Sequence, residues 1–577
     1  MKILGLGFTQ HECSAALVVD GELRSAIARE RVSRIKRDGS AWGAARLDLG
    51  SAIKYCLDAC GLSLNEIDLV VYHHYFHQSV QEIRELLAAE GGFDCFAIPS
   101  IALPHHFAHA CCAFYLSPFD QAAVLVADGA GGPAELIAEN CTGPEAEAIA
   151  NGAIAIQNID VLPTGDSSEY ESFYQIRAGR WDAIRKVVGC SNGIGAVYSR
   201  ASRLLFDDGL DSGKTMGLSS YAEPVSNAMF LTKAGPPEMP FYRGDLGPQL
   251  QDLEAKIAEI INELPDHSKY DEPELQVYAS SLQKEAEDAL VDYAKWLHER
   301  TGQSNLCLCG GVALNCVANS RIWDEAGFQQ VFVPPCPGDD GIAIGCALYG
   351  AALHQELKPG PIPVFGGRTY AHDATDLEDL GLRKVDAGED LYKTVAKELA
   401  QGAVVAWFQE GSEFGPRALG HRSFLADPRR VDMKDHLNRR VKNRENFRPF
   451  APVVLERHVN DYFERNYPSH CMSFVARVRQ EKQALLPAIT HVDGTARFQV
   501  LREVHNPQLH ALISAFSNET GVPIILNTSL NRAGEPLVET PRQAAVCALQ
   551  SSADLLVVDG AVYRPTERQY KYAILEE

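Results

Sequence analysis

No apolar run in this sequence approaches the roughly 18 residues that a membrane-spanning helix needs, so a helical membrane protein is not expected. An excess of basic charge is also missing. Lys and Arg number 53 against 76 Asp and Glu, a formal charge of −23, which argues against nucleic acid as the main partner. Low-complexity tracts are absent. The fifteen cysteines are an odd, irregularly spaced set, and neighbours such as Cys111 and Cys112, or Cys307 and Cys309, read as small buried residues rather than a disulfide framework. The opening "MKILGLGFTQHE" turns polar sooner than a secretory leader would. These absences point to a reduced, cytoplasmic, soluble protein.

What is present is bulk and pattern. A chain of 577 residues, 46% hydrophobic, can bury a large core in two or more domains. "MKILGLGFTQHECSAALVVDGEL" reads as strand, polar turn, strand and a "DG" hairpin, and "QAAVLVADGAGGPAELIAEN" repeats that grammar more than a hundred residues later. The pair predicts a duplicated α/β domain with a cleft between its lobes. Between them, "LDLGSAIKYCLDACGLSLNEIDLVVYHH" reads as a helix leading into a strand. "LHQELKPGPIPVFGG", with three prolines and three glycines, is the strongest linker candidate. The expected division is residues 1–354, a linker over 355–367, and a second α/β domain over 368–577.

"LPHHFAHACCAF" places His105 and His109 four apart, on one face of a helix and at a spacing that suits metal ligation. An isolated pair of this kind is more often two packed helix histidines, and the glutamate of a zinc-protease HExxH is missing. Asp128, at a strand end before "GAGG", and Asp339, in "VPPCPGDDGIAIG", could each supply a carboxylate. That mixed N/O set suits iron, manganese or zinc better than calcium. In "CLCGGVALNCVANS", Gly310, Gly311 and Asn315 follow a strand in the manner of a backbone approach to a nucleotide at a helix start. "SGKTMGLSSY" places Lys214 on a glycine-bounded turn as a candidate phosphate contact. The cluster "YHHYFH", Tyr72 to His77, follows an apolar strand and could line an acceptor pocket or form a surface loop.

The cations gather elsewhere. From Arg417 to Arg448 there are ten Lys/Arg against four Asp/Glu, a local +6. "KDHLNRRVKNRE" in part resembles a solvated face. Arg417 and Arg422, on a turn anchored by Gly and Pro, and Arg448, in the apolar frame "FRPFAPVVL", need partners, and their planar forks suit phosphate or carboxylate. Arg497, Asn527 and Ser529, around "ILNTSLNRAGEP", extend what reads as a pocket for a small, highly charged anion.

"GPRALGHRSFLADPR", "RVKNRENFRPFAP" and "LNTSLN" resemble the C-terminal signature of the NodU/CmcH carbamoyltransferases, and "HHFAHA", "CGGVALNCVAN" and "PPCPGDDG" resemble that family's N-terminal signature. The resemblance implies an ASKHA-type N-terminal domain, similar to the tRNA threonylcarbamoyltransferase subunit, and a YrdC-like C-terminal domain. It implies formation of carbamoyl-adenylate from carbamoyl phosphate and ATP, with Mg2+, in the second domain. Transfer to the hydroxyl of a small-molecule acceptor would follow in the first. On that resemblance Arg417, Lys442, Arg448, Arg497 and Asn527 fall on the carbamoyl phosphate site. Ser529 falls near ATP, with Arg422 counted among the nucleotide contacts. His105, His109, Asp128 and Asp339 fall on a metal site, usually iron. His11 stands where the family motif reads "HD" and is the expected general base. Glu12 replaces the usual aspartate and adds a methylene. A homodimer is the family habit.

Three other readings stay open on the sequence: a sugar kinase of ASKHA type, a tRNA threonylcarbamoylation enzyme, and a nucleotide-gated scaffold. The first leaves the arginines without a purpose, and the acidity opposes the second. The segments Gln78 to Pro99 and Val225 to Leu275 carry none of the family motifs and are the expected acceptor-pocket walls.

Overall fold

The computed structural model describes residues 1–39, 49–74, 98–132, 159–161, 168–189, 193–225, 229–234, 241–244, 247–264, 269–355, 357, 364–371, 374–386 and 390–566. The chain forms two compact units, one of Met1–Arg29 with Asp38–Pro363 and one of Glu30–Arg37 with Val364–Glu577. The helix and strand expected between the first two strand pairs are the helix Gly50–Cys60 and the strand Leu69–His74. Most of Gln78 to Pro99, His77, and much of the linker candidate lie outside the described residues.

Unit 1 repeats one topology. Strands β1 (Lys2–Phe8), β2 (Cys13–Val19), β3 (Glu22–Ala28), β4 (Leu69–His74) and β5 (Ser100–Pro104) form a sheet in the order β3-β2-β1-β4-β5. β1, β2 and β3 run antiparallel in turn, and β4 and β5 continue parallel to β1. The second sheet contains β6 (Ala122–Ala127), β7 (Ile159–Val161), β8 (Ser168–Arg177), β9 (Arg180–Gly189), β12 (Asn305–Cys309) and β13 (Gln330–Phe332). Its order is β13-β12-β6-β8-β9-β7. β6, β8 and β9 alternate, while β12 and β13 run parallel with β6, so β6 takes the place of β1 and β12 that of β4. The duplication expected from two strand–turn–strand motifs is therefore present. A hairpin, β10 (Leu231–Ala234) and β11 (Phe241–Gly244), stands apart from both sheets.

Two glycines set how closely the site-bearing elements approach. A Cβ on Gly5 of β1 would lie 2.0 Å from the Ala343 carbonyl oxygen, and one on Gly345 would lie 2.0 Å from that of Ala108. Neither distance is possible for a real side chain. The helix Ile342–Leu353 therefore rests directly on β1 and on the helix His105–Leu116. That contact brings Asp339, in the turn before the one helix, beside the first turn of the other.

Unit 2 is built on an eight-stranded mixed sheet. Its strands are β14 (Leu382–Val385), β15 (Val405–Phe408), β16 (Arg422–Ala426), β17 (Ala451–Leu455), β20 (Gln499–Leu501), β21 (Ile524–Ser529), β22 (Leu555–Val558) and β23 (Ala561–Pro565), in the order β14-β23-β22-β15-β16-β21-β17-β20. A two-stranded ribbon, β18 (Val475–Arg477) with β19 (Thr495–Arg497), adds to it. The early segment Glu30–Arg37 is fastened into this unit by guanidinium donors. Arg31 Nη2 donates to the Gly415 carbonyl at 2.7 Å, and Arg34 Nη1 and Nη2 donate to those of Leu537 and Pro536 at 2.5 and 2.9 Å. The helices Leu391–Ala400 and Pro507–Thr520 pack against each other.

The twelve described cysteines are thiols, ten of them buried, which agrees with the reading of small core residues. Lys214 departs from expectation. It lies in the helix Ser212–Leu218 rather than on a turn, and its ammonium pairs with Asp211 one turn earlier at 2.9 Å.

Candidate functional site

Four of the residues singled out in the sequence meet in unit 1. His105 and His109 lie on the first two turns of their helix, Asp128 follows β6, and Asp339 opens the turn before Ile342. His105 Nε2 lies 3.2 Å from Asp128 Oδ2, 3.5 Å from Asp339 Oδ1 and 3.2 Å from His109 Nε2. His109 Nε2 lies 3.4 Å from Asp128 Oδ2 and 3.3 Å from Asp339 Oδ1. No pair of the four ligand atoms is more than 4.8 Å apart. Bonds of 2.0–2.1 Å to a tetrahedral centre imply ligand–ligand separations of roughly 3.3–3.4 Å, so five of the six edges fit a first-row metal.

Each carboxylate turns one oxygen inward and has the other held by protein. Asp128 Oδ1 accepts from the Gly129 and Gly311 N–H groups at 2.8 and 3.0 Å, and Asp339 Oδ2 pairs with His11 Nε2 at 3.1 Å. The electrostatics favour a cation. Burial disfavours the charged imidazolium of His109, yet Asp128 and Asp339 outweigh it and raise the ring to about 10. The same contacts hold both carboxyls below the ordinary range against a large burial penalty.

Behind the four sits a shell that the sequence reading did not assign. His73, at the end of β4 and fully buried, approaches His105 Nδ1 with its own Nδ1 at 3.1 Å. Its Nε2 lies 2.9 Å from both the N–H and the carbonyl oxygen of Phe8. Burial, reinforced by His105, keeps the His73 ring far from protonation. Of the "YHHYFH" stretch, whose last three residues lie outside the described residues, His73 stands behind the four-residue cluster. His11 is 38% exposed and so has an open face. Glu12 closes the turn through its carbonyl, which accepts from the Thr9 N–H at 2.7 Å. Cys307 and Cys309 are buried on β12, and burial raises both thiols.

The nucleotide contacts expected in unit 1 are otherwise engaged. The Gly311 N–H serves Asp128, and that of Gly310, at φ 84°, donates to the Pro337 carbonyl at 2.8 Å. Asn315 caps the helix Cys316–Glu325, its Oδ1 accepting from the Ala318 N–H at 3.1 Å, while its amide exchanges hydrogen bonds with Gln283. A strand–Gly–Gly–Asn motif is equally a recipe for a capped helix, and here it serves that purpose.

In unit 2 the turn carrying Arg417 is rigid. Buried Glu413 accepts from the Leu419, His421 and Arg422 N–H groups at 2.6, 3.3 and 3.3 Å, and His421 stacks on Phe365 at 3.5 Å. Arg417 itself is half-buried. Arg422 is a correction to the nucleotide reading. It is fully buried, its Nη1 and Nη2 donate to the carbonyls of Gln409, His421, Glu410 and Glu539, and its guanidinium lies 3.6 Å from the Phe408 ring centroid. A planar fork that suits phosphate suits four carbonyl oxygens as well. Arg429 and Arg430 are paired with Asp427 and Asp432.

The remaining cations crowd together. A wide π-type turn, Leu437–Val441, delivers buried Lys442, whose Nζ lies 2.6–3.1 Å from four oxygens, Ser529 O and Oγ and Asn531 O and Oδ1. Burial and nearby Arg444 push this ammonium well below its usual value. Arg444 is itself pushed down by burial, then by Arg448 and Arg497, with only Glu445 opposing. Arg448 pairs with Glu445 at 3.6 Å. Arg444, which reads as part of a solvated run, is thus a half-buried member of the cluster; its side chain lies 4.6 Å above the Phe450 ring and is bonded to Asn438. Asn527, on β21, donates to the Ala418 carbonyl and to Gln499, and its Oδ1 is buried with no donor among the described residues.

Comparison with known proteins gives two matching family models. One, described as Carbamoyltransferase N-terminus, covers residues 2–90 and 77–348, and the other, Carbamoyltransferase C-terminus, covers residues 396–564. An uncharacterized protein of Synechocystis sp. is 32% identical over 98% of this chain and 97% of its own length. The nodulation protein NolNO of Sinorhizobium fredii is 32% identical over 95% of this chain and 78% of its own. A 3'-hydroxymethylcephem-O-carbamoyltransferase of Amycolatopsis lactamdurans is 35% identical over 50% of this chain and 54% of its own length.

Proposed function

This chain belongs to the carbamoyltransferase family of the NodU/CmcH type, and from that premise we propose that it is an ATP-dependent O-carbamoyltransferase acting on a hydroxyl of a small natural product. The observation that carries the reading is the cation cluster of unit 2. Burial and neighbouring cations push down the charged forms of two of its members, Arg444 and Arg448 acting on Lys442, and Arg448 and Arg497 acting on Arg444 with Glu445 opposing. Such a set is stabilised by a polyanion, and carbamoyl phosphate with ATP supplies two.

The proposed first stage takes place in residues 368–577. Carbamoyl phosphate, ATP and one water give carbamoyl-adenylate, pyrophosphate and phosphate. Arg417, Arg448 and Arg497 grip phosphate oxygens. Lys442 holds the "LNTSLN" turn and Ser529 in place toward ATP. Asn527 Oδ1, buried and lacking a donor, suits the carbamoyl NH2. Two donors and two acceptors on one amide explain why an asparagine stands in mid-strand.

In the second stage the acceptor hydroxyl attacks the carbamoyl carbon, and AMP leaves with the adenylate oxygen. His11 is the proposed general base. Its Nε2 is held by Asp339, an arrangement that orients an imidazole and stabilises the imidazolium it becomes. Glu12 supports the turn that presents it. A divalent metal, iron, manganese or zinc, would be held by His105, His109, Asp128 and Asp339, and when bound it would supply a Lewis acid at the adenylate phosphate. The name of the cephem relative specifies transfer to the oxygen of a hydroxymethyl group, which supports a hydroxyl acceptor here.

The test needs no acceptor. The purified chain is given ATP with and without carbamoyl phosphate. Pyrophosphate release that requires carbamoyl phosphate is expected. ADP formation would favour the kinase reading, and the absence of any nucleotide turnover would favour the scaffold.

A further inference from the structure

The pair His73–His105 contains a redundancy that a packing role does not require. Two imidazoles face each other Nδ1 to Nδ1 at 3.1 Å, so one proton must lie between two nitrogens, and either ring can own it. At the far side, His73 Nε2 lies 2.9 Å from both a donor, the Phe8 N–H, and an acceptor, the Phe8 carbonyl. His73 therefore has a partner in either neutral tautomer. The neighbouring ligand has no such support, since His109 Nδ1 is buried without a partner among the described residues.

We propose that His73 is a positioning residue for the metal ligand His105, acting as a two-state tautomer switch. In one state Phe8 N–H donates to His73 Nε2, His73 Nδ1–H donates to His105 Nδ1, and His105 Nε2–H donates to Asp128 Oδ2 at 3.2 Å. In the other, His105 carries its proton on Nδ1 and donates it to His73 Nδ1, while His73 Nε2–H donates to the Phe8 carbonyl. The second state bares His105 Nε2 toward Asp128 and Asp339. Each ring holds one proton in both states: from the first to the second, the His73 Nδ1 proton crosses to His105 Nδ1, the His105 Nε2 proton leaves by way of Asp128 Oδ2, and solvent water returns one to His73 Nε2, so that only His105 Nε2 is left bare, for a metal ion. The same turn also holds a second ligand, because His11, three residues beyond Phe8, pairs with Asp339. One short stretch, Phe8 to His11, thus braces two of the four candidate ligands.

The inference rests on the metal reading of the four-residue centre, and zinc binding to the full chain tests the two separately. Wild-type protein that takes up no zinc overturns both. If it binds one equivalent, three substitutions decide the role of His73. An asparagine places its amide where imidazole Nδ1 lies, and a glutamine where Nε2 lies. His73→Asn should keep most of the zinc affinity, since its amide oxygen can accept from His105 Nδ1–H. His73→Gln and His73→Phe should lose roughly 10–100-fold by chelator competition, the range for an outer-shell partner of a metal ligand. Equal affinity in the Asn and Gln variants, both folded by near-ultraviolet circular dichroism, would overturn the inference. So would a histidine nitrogen-15 spectrum of the zinc-loaded protein showing His105 unprotonated at Nδ1. If His73→Phe fails to fold, the Asn and Gln pair still decides.

Discussion

The two sites are electrostatic opposites built from the same material. In unit 1 two buried carboxylates raise an imidazole, so the site holds charge that a cation would complete. In unit 2 burial and mutual repulsion lower a lysine and an arginine, so that site awaits an anion. Each unit maintains an unbalanced charge in a low-dielectric interior at a cost in stability. On the proposed reading, a metal ion in the one and a polyanion in the other would restore the balance. The difference shows that the chain's −23 describes neither site, since each is set by a few buried groups.

The largest break in this contrast should come from Asp339→Ala. It removes one of four metal donors and the partner of His11 together, and we expect metal affinity to fall by more than the roughly 100-fold attached to an outer-shell partner. Metal analysis of the purified, folded variant checks this, and full occupancy would exclude Asp339 as a ligand. On the other side, Arg417→Lys keeps the charge and loses the planar fork. Truncating one partner of a desolvated charge pair costs roughly 2–5 kcal/mol, about 30- to several-thousand-fold, and we expect lysine to rescue little of it. Direct titration with carbamoyl phosphate decides, and unchanged affinity would place Arg417 on a solvated face.

The smallest effect sharpens the comparison. The Lys442 ammonium is depressed in the folded chain relative to the unfolded one, so the folded state is penalised below the depressed value. The penalty fades as pH rises toward the unfolded value near 10.5. Between those limits an anion that restores the ammonium must bind together with a proton. Carbamoyl phosphate binding should then weaken as pH rises through that window, whereas metal binding, which expels protons from its ligands, should strengthen. Calorimetry in buffers of different ionisation heat reads the proton directly, and matching signs at the two sites would contradict the account.

How much of this was legible in the sequence depended on the range of the cause. The duplicated strand–turn–strand pattern and the His-x-x-x-His spacing are local, and both led to the right elements. Asp128 and Asp339 were singled out because strand ends and Pro-Gly turns before helices are where such side chains emerge, and the fold brings both beside His105 and His109. Arg422 and Arg444 exchanged roles for a reason that composition cannot convey. The groups that decide an arginine's role can be remote in sequence: Glu539 supplies one of the four carbonyls that hold Arg422, and Arg497 is among the cations that crowd Arg444. Asn315 and Lys214 were given to the nucleotide because a helix cap and an i,i+3 ion pair use the same residue types. His73 was misjudged because its neighbour, His105, is 32 residues away.

The eight residues Glu30–Arg37 belong to the second unit although they are made among the first forty of the chain. A ribosome therefore releases them more than three hundred residues before the carbonyls that will accept their hydrogen bonds, and Arg31 and Arg34 must wait through the synthesis of nearly all of unit 1. The order of the gene is not the order of the fold. A fragment starting at Val364 would lack the donors that fasten the Gly415 and Leu537 carbonyls, so the second unit is not a cassette that recombination could move by cutting once. Exchanging it between relatives would mean carrying this octapeptide along, a reason for the two halves to be inherited as one polypeptide.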